Sequence, residues 1–290
     1  MRVPIKTLVV GAILASGSLA ANSAQAEITF ADVGKNLEYV QTGAASFSPV
    51  NGGDNAFFFA RAFYANSSDF DGGSLDFSGG PLPYNTSAAD CCGNSGGAYQ
   101  TGYMSRAVMD ATYPTGETYT LTSTNSVTLD SQSVAIPFLN DLYDKTALPA
   151  VDAASFTALQ SLNPALGLTV FVNTFTPDPD ADFGQTFFSV FDLTAGATVA
   201  SLFGPSTTSS FFLPIGTFTA GHSYESQLIF DNGVNGRDGN AFTTARSDLR
   251  SDVFFDVPQA GAVPEPATWA IMVLGLGLMG AVLRRRGALA

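Results

Sequence analysis

Apolar residues fall along this chain in short clusters separated by Gly, Asn, Asp, Ser and Pro, which is the pattern of strands joined by turns. Phe57-Phe58-Phe59-Ala60-Arg61-Ala62-Phe63-Tyr64 predicts a buried strand, bracketed by the turn clusters Asn51-Gly52-Gly53-Asp54 and Asn66-Ser67-Ser68-Asp69. Ser74-Leu75-Asp76-Phe77 alternates and is ended by Gly79-Gly80-Pro81. Tyr99 to Met109 predicts a further strand. The turn at Tyr113-Pro114-Thr115-Gly116 leads into another over Glu117 to Leu121, and Val127 to Leu129 and Val134 to Ile136 predict two more. Together these make a small antiparallel β domain over residues 27–144.

A linker reading at Asp144-Lys145-Thr146-Ala147-Leu148-Pro149 opens the second half, residues 145–257. Ala153 to Leu162 predicts a short helix with Asp152 as its N-cap, stopped at Asn163-Pro164. Leu166, Leu168, Val170 and Val172 share one face of a strand by their period of two. Strands follow at Gln185 to Leu193, Thr198 to Phe203, Thr208 to Leu213, Ser223 to Phe230 and Val253 to Val257. Asp231-Asn232-Gly233 through Asp238-Gly239 reads as turn chemistry. Short strands with turns every 8–12 residues point to a sandwich of the immunoglobulin or fibronectin type III kind, so the fold class is mainly β. Phe218-Thr219-Ala220-Gly221-His222-Ser223-Tyr224 resembles the corner before a late fibronectin strand. That resemblance implies a Tyr224 hydroxyl bonded back to the turn, with Tyr224, Ser226, Leu228 and Phe230 on one face.

The termini carry different patterns. Arg2 and Lys6 precede an apolar run from Leu8 to Leu14, and Ala24-Gln25-Ala26 offers a small-residue cleavage site, so residues 1–26 read as a signal peptide for signal peptidase. Residues 258–266 form a Pro-rich linker, and 267–286 read as a transmembrane helix with an Arg cluster. Ala267 to Leu283 is 17 residues without a charge, about 26 Å as a helix and the short end of what a bilayer core needs. Trp269 suits the headgroup level, and Arg284, Arg285 and Arg286 hold the C-terminus on the cytoplasmic side with the body outside.

The order Pro264-Glu265-Pro266, two residues, Trp269-Ala270, an apolar helix and an Arg cluster resembles the PEP-CTERM sorting signal of Gram-negative bacteria. That resemblance covers about the last 25 residues and implies an exosortase as partner, cutting near Pro264 to Pro266 and passing the body to the envelope or the exopolysaccharide layer. The second half, with landmarks such as Asn173-Thr174-Phe175-Thr176-Pro177 and Phe187-Phe188, also resembles β-sandwich bodies that accompany this tail.

Charge removes one class of function. Five of the 12 Lys and Arg lie in the terminal tags, leaving 7, and only Glu265 of the 25 Asp and Glu lies there, leaving 24, so residues 27–263 carry a net −17. Such a surface excludes nucleic acid, whose phosphates need cations. The 24 Phe and 9 Tyr supply ample core material.

Candidate chemistry is sparse. Gly93-Asn94-Ser95-Gly96-Gly97 is a G-x-S-x-G loop and resembles the nucleophile loop of trypsin-like proteases, but His222 is the single histidine and follows Ser95 instead of preceding it. The α/β-hydrolase order allows Ser then His, yet Asn85 to Asp90 forms no strand before Ser95. A surface loop is the expected role of this segment and an exposed turn that of His222. Cys91 and Cys92 are adjacent, so a bridge between them would staple no loop; a redox-labile pair or a link to another chain is the alternative. Asp178, Asp180 and Asp182 alternate like the first half of a calcium loop, but the position of the bidentate Glu is Ser189, which favours a solvated acidic loop and no cofactor.

The chain is therefore expected to be a non-enzymatic exported β protein with a structural or surface-interaction role. The alternatives are a carbohydrate-binding module using Tyr84, Tyr99 and Tyr103, or a hydrolase using Ser95 and His222 or a pair among its 20 Asp residues.

Overall fold

The first element of the computed structural model is a long strand, β1 (Ile28–Gly43), in which Ala31, Val33, Lys35 and Leu37 alternate with Asp32, Gly34, Asn36 and Glu38. The structure describes residues 27–65, 70–83, 96–142 and 147–259. After β1 come β2 (Ser46–Pro49), β3 (Ala56–Tyr64), β4 (Gly72–Asp76), β5 (Leu82–Pro83) and β6 (Gly96–Gln100). A helix, α1 (Arg106–Thr112), leads to β7 (Glu117–Thr124) and β8 (Ser131–Phe138), and a second, α2 (Ala153–Gln160), to β9 (Leu168–Phe171). The remainder is β10 (Phe183–Asp192), β11 (Ala197–Pro205), β12 (Ser210–Leu213), β13 (Ser223–Asp238) and β14 (Ala241–Asp256).

The largest sheet runs β11-β10-β13-β14-β1-β3-β6, with β2 also paired to β1. A four-stranded sheet, β5-β4-β7-β8, and a two-stranded sheet, β12-β9, complete the set. Phe58 of β3 meets Tyr119 of β7, Phe188 of β10 stacks with Phe211 of β12, and Phe230 of β13 stacks with Phe175. Both smaller sheets thus lie against one face of the large one, and the core fills the space between.

The mainly β character agrees with the sequence, and the β3, β4, β7, β8, α2 and β9 to β13 segments form where the pattern predicts them. Asp152 caps α2 as expected, its Oδ1 accepting the Ser155 N–H at 2.7 Å. The corner before β13 also forms: the Thr219 N–H donates to the Tyr224 hydroxyl at 2.7 Å, and Tyr224, Ser226, Leu228 and Phe230 are all buried.

Several differences have local causes. The predicted strand over Tyr99 to Met109 ends at Gln100, and Ser105, accepting the Val108 N–H, starts α1 and turns Met109 into the core. Val127 to Leu129 is a turn despite its strand-forming residues. The Asn125 Oδ1 accepts the N–H groups of Val127 and Thr128, both at 2.9 Å, and Leu129 takes a φ of 61°. Asp231-Asn232-Gly233 lies inside β13, and the turn falls later, at Asp238-Gly239, where Gly239 has a φ of 59°. The last strand begins at Ala241 where the pattern predicts Val253.

Pairing is not wholly antiparallel: β1 and β14 run parallel from Phe30↔Phe242 to Val40↔Asp252. The large sheet therefore takes strands from both sides of the boundary expected near residue 144, which marks no break in hydrogen bonding. The expected signal peptide and C-terminal helix lie outside the described residues. Among those described, no helix is long and apolar enough to cross a membrane.

Tyr224→Phe leaves the Thr219 N–H without its acceptor, at an expected cost of about 1–2 kcal/mol. Urea unfolding should show a lower midpoint with an unchanged slope; an unchanged midpoint would show that the corner contributes nothing.

Candidate interaction surface on the central sheet

The second face of the large sheet is built from the other set of alternating side chains. On β14 these are Thr244, Arg246, Asp248, Arg250 and Asp252; on β1, Asp32, Asn36 and Glu38; on β13, Glu225, Gln227 and Asp231. Six carboxylates (Asp32, Glu38, Glu225, Asp231, Asp248, Asp252) meet three guanidiniums (Arg61, Arg246, Arg250). Arg61 holds Asp32 in a bidentate pair, with Nε 2.9 Å from Oδ1. Arg246 donates from Nη2 to Asp231 Oδ2 at 2.7 Å and from Nε to Asp231 Oδ1 at 3.2 Å, and Nη1 reaches Asp32 at 3.5 Å. Arg250 donates to Asp252 at 2.7 Å and to Glu225 at 2.6 Å, with Glu38 at 3.4 Å. Tyr103 closes this end by donating its hydroxyl to Glu38 at 2.8 Å.

Glycine and phenylalanine make room for these arginines. Arg246 is flanked in register by Gly34 on β1 and Gly233 on β13. A Cβ on Gly34 would come within 2.3 Å of the Phe59 ring, and one on Gly233 within 2.3 Å of the Phe183 ring. Each glycine is thus the seat of an aromatic ring lying over the sheet. Arg61 lies over Phe59 at 4.7 Å and over Phe63 at 5.9 Å. The rings and arginine stems shield the carboxylates, so Asp32, Glu38, Asp231, Asp248 and Asp252 are buried.

Carboxylates outnumber guanidiniums two to one, and the surplus charge is relieved by retained protons. Burial, outweighing the pull of Arg250, raises Asp252 to about 8, with Glu38 beside it adding to the rise. Burial likewise raises Asp248 well above the carboxylate range, against Arg246 and with help from Asp231. The Asp248 Oδ1 is buried without a hydrogen-bond partner. Next to this ladder a cleft of about 310 Å³ is lined by Phe30, Phe183, Gln185, Asn235, Thr244 and Arg246. It combines two ring walls with amide, hydroxyl and guanidinium groups.

Residues singled out from the sequence are distributed elsewhere. Asp178 spends its Oδ1 on the Asp180 N–H at 3.0 Å within its own loop, and Asp182 accepts the Asn235 N–H at 2.8 Å, tying that loop to β13. Among the described residues, no group of three or more His, Cys, Asp or Glu side chains is placed to hold a metal ion. His222 lies on its turn with Nδ1 2.7 Å from the Asp192 Oδ2. Burial raises Asp192, but His222 and the Ala195 amide bring it below its ordinary value. Tyr99 is half-buried and shares a hydrogen bond with Tyr113 at 2.8 Å; Tyr103, 40% exposed, borders the charged face. Ser95, Tyr84, Cys91, Cys92, Ala24, Ala26, and Pro264, Glu265, Pro266, Trp269, Ala270 and Arg284 to Arg286 lie outside the described residues. Sequence reading missed the ladder, although alternation of charge at Arg246, Asp248, Arg250 and Asp252 was its visible signal.

Residues 262–286 match the PEP-CTERM protein-sorting motif. Proteins with this motif are exported, cell-surface associated and processed by an exosortase. No curated protein sequence matches the chain. Among solved structures, it is similar to a biofilm-associated protein BSP domain, at 13% identity and a TM-score of 0.21, over 82% of this chain and 30% of that one. It is also similar to titin domains A168–A170, at 8% identity and a TM-score of 0.21, over 73% of this chain and 60% of that one.

Between about pH 4 and pH 8 the folded state holds an Asp252 proton that the unfolded chain, with a carboxylate near 3.9, has released. This contribution is complete below pH 4 and is lost as pH rises towards 8. Stability to urea should fall over that window by up to about 1.4 kcal/mol per pH unit for one proton. Asp252→Asn, whose amide replaces the carboxyl proton as donor, should flatten the slope; an unaltered slope would refute proton retention there.

Proposed function

We propose that this chain is delivered through its PEP-CTERM signal to the cell envelope or exopolysaccharide layer, where its β body has a non-catalytic structural or surface-interaction role. The observation that carries the reading is the sorting motif at residues 262–286, with its Pro-Glu-Pro, apolar run and arginines in that order. The N-terminal pattern supports it, because a signal peptide ending at Ala26 puts the body on the same side of the membrane as the positive-inside arginines require. In this reading the apolar tail holds the body in the membrane until exosortase cuts near Pro264 to Pro266.

One observation favours a carbohydrate as ligand. The cleft beside Arg246 offers the half-buried rings of Phe30 and Phe183 for a sugar's C–H face and Gln185, Asn235 and Thr244 for its hydroxyls. Tyr103, partly exposed at the far end of the same face, extends the aromatic provision.

Fractionation of cells producing wild type and a Pro264-to-Pro266 deletion should place wild type in the envelope or medium with a new C-terminus near residue 265, and leave the deletion uncut in the inner membrane. An identical distribution and identical C-termini would overturn the sorting role. For the ligand, a glycan array with Phe183→Ala as control should lose its signal in the variant; equal binding by both would rule out this cleft.

A further inference from the structure

One buried cation belongs to neither the ladder nor the surface. Lys35 projects from the middle of β1 to the core side of the large sheet and is wholly shielded from solvent. Its Nζ lies 5.6 Å from the Phe138 ring centroid, so the amine sits against an aromatic wall. Two carboxylates face it, Asp110 from α1 and Asp141 from the segment after β8.

The two contacts differ in geometry. Nζ donates to Asp110 Oδ1 at 2.8 Å, an ordinary charged hydrogen bond. Towards Asp141 it straddles the carboxyl group, 3.2 Å from Oδ1 and 3.5 Å from Oδ2. The nearer oxygen, Oδ1, is buried and makes no hydrogen bond. The nitrogen thus stands in front of both oxygens, on the edge of the carboxyl group. Rotation of the Asp141 carboxyl about its Cβ–Cγ bond turns its face to the amine, the side from which an amine adds to a carbonyl. Burial together with Asp110 raises Asp141 above its ordinary value despite Lys35, which favours the neutral acid that can lose water.

We propose that Lys35 and Asp141 join through an intramolecular isopeptide bond between Nζ and Cγ, with Asp110 as the proton carrier. Asp110 takes one proton from the Lys35 ammonium. The free amine adds to Cγ of the Asp141 carboxylic acid, and a second N–H proton passes through Asp110 to the departing hydroxyl, which leaves as water. The product amide keeps one N–H, and Asp110 ends protonated and releases its proton to solvent through its one-third exposed side chain. No oxidant, metal or further reactant enters. Amide formation from an acid and an amine is poorly driven in water, but fixed neighbours reach effective molarities of about 10⁵–10⁸ M. The bond would tie β1, at the centre of the large sheet, to the chain leaving the four-stranded sheet.

Mass spectrometry of the intact folded protein decides the matter without a variant. The mature chain should be lighter by one water than its sequence requires, and trypsin should leave residues 27–61 linked to 107–145, because an amidated Lys35 is not cleaved. Asp110 and Asp141 share that second peptide, so fragmentation between them locates the bond. A full, unmodified mass overturns the proposal. So does a water loss confined to a single linear peptide, which is a succinimide, or a link to Asp110 in place of Asp141. Asp110→Asn should fold with the same circular dichroism spectrum and keep the full mass; a folded variant with the water still lost would remove Asp110 from the reaction.

Discussion

The body depends on the parallel pairing of β1 with β14, because it joins residues more than two hundred positions apart and places both strands at the middle of the largest sheet. Hydrogen bonding alone leaves the register of such a pair free to slip. A slip of one residue along β14 would carry Ser247, Leu249 and Ser251 to the outer face and drive Arg246, Asp248, Arg250 and Asp252 into the core. The contacts Arg246 to Asp32 and Arg250 to Glu38 cross that pair, so they hold only in the observed register. Buried ion pairs often add little net energy over apolar residues of the same size, whereas breaking one is costly, about 3–5 kcal/mol. The ladder's effect is therefore chiefly to exclude the alternatives.

Two glycines make this possible. Gly34 and Gly233 flank Arg246, and their missing side chains leave space that Phe59 and Phe183 then roof. A ring over a glycine restores the packing that the glycine gives up. It also narrows the path of water to Asp32 and Asp231, so the arginine works in a drier setting than its place on an outer face suggests. Retained protons complete the arrangement, since six ionised carboxylates around three guanidiniums would leave a surplus that burial does not tolerate.

How much of this the sequence displayed depends on whether the signal was local. Phe57 to Tyr64, the Asp152 cap and the Tyr224 corner were legible because each rests on neighbours in the chain. Val127 to Leu129 misled because a single Asn125 side chain outweighed two strand-forming residues. The twelve residues from Ala241 to Asp252 hid a strand because their charges look like solvated turn material until partners on β1 and β13 neutralise them. The same holds for Lys35. Nothing near it in sequence announces a buried amine, and its two partners come from α1 and the segment beyond β8. The sorting motif at residues 262–286, by contrast, was readable, since such a signal is recognised as a linear pattern.

The placement of the cations also determines what the outside of the molecule presents. Of the seven basic residues between 27 and 263, Lys35, Arg61, Arg106, Arg246 and Arg250 are each engaged by carboxylates, and Arg237 lies over the Phe242 ring at 3.9 Å. Lys145 falls outside the described residues. Positive charge is thus spent on holding strands together, while Asp54, Asp130 and Asp180 stand in exposed positions. Because the internal clusters take up most of the cations, the exposed charge is almost wholly negative. A surface of that kind repels polyanions and other copies of itself, and gathers cations, within about a Debye length. Charge of one sign at that range keeps such a body dispersed.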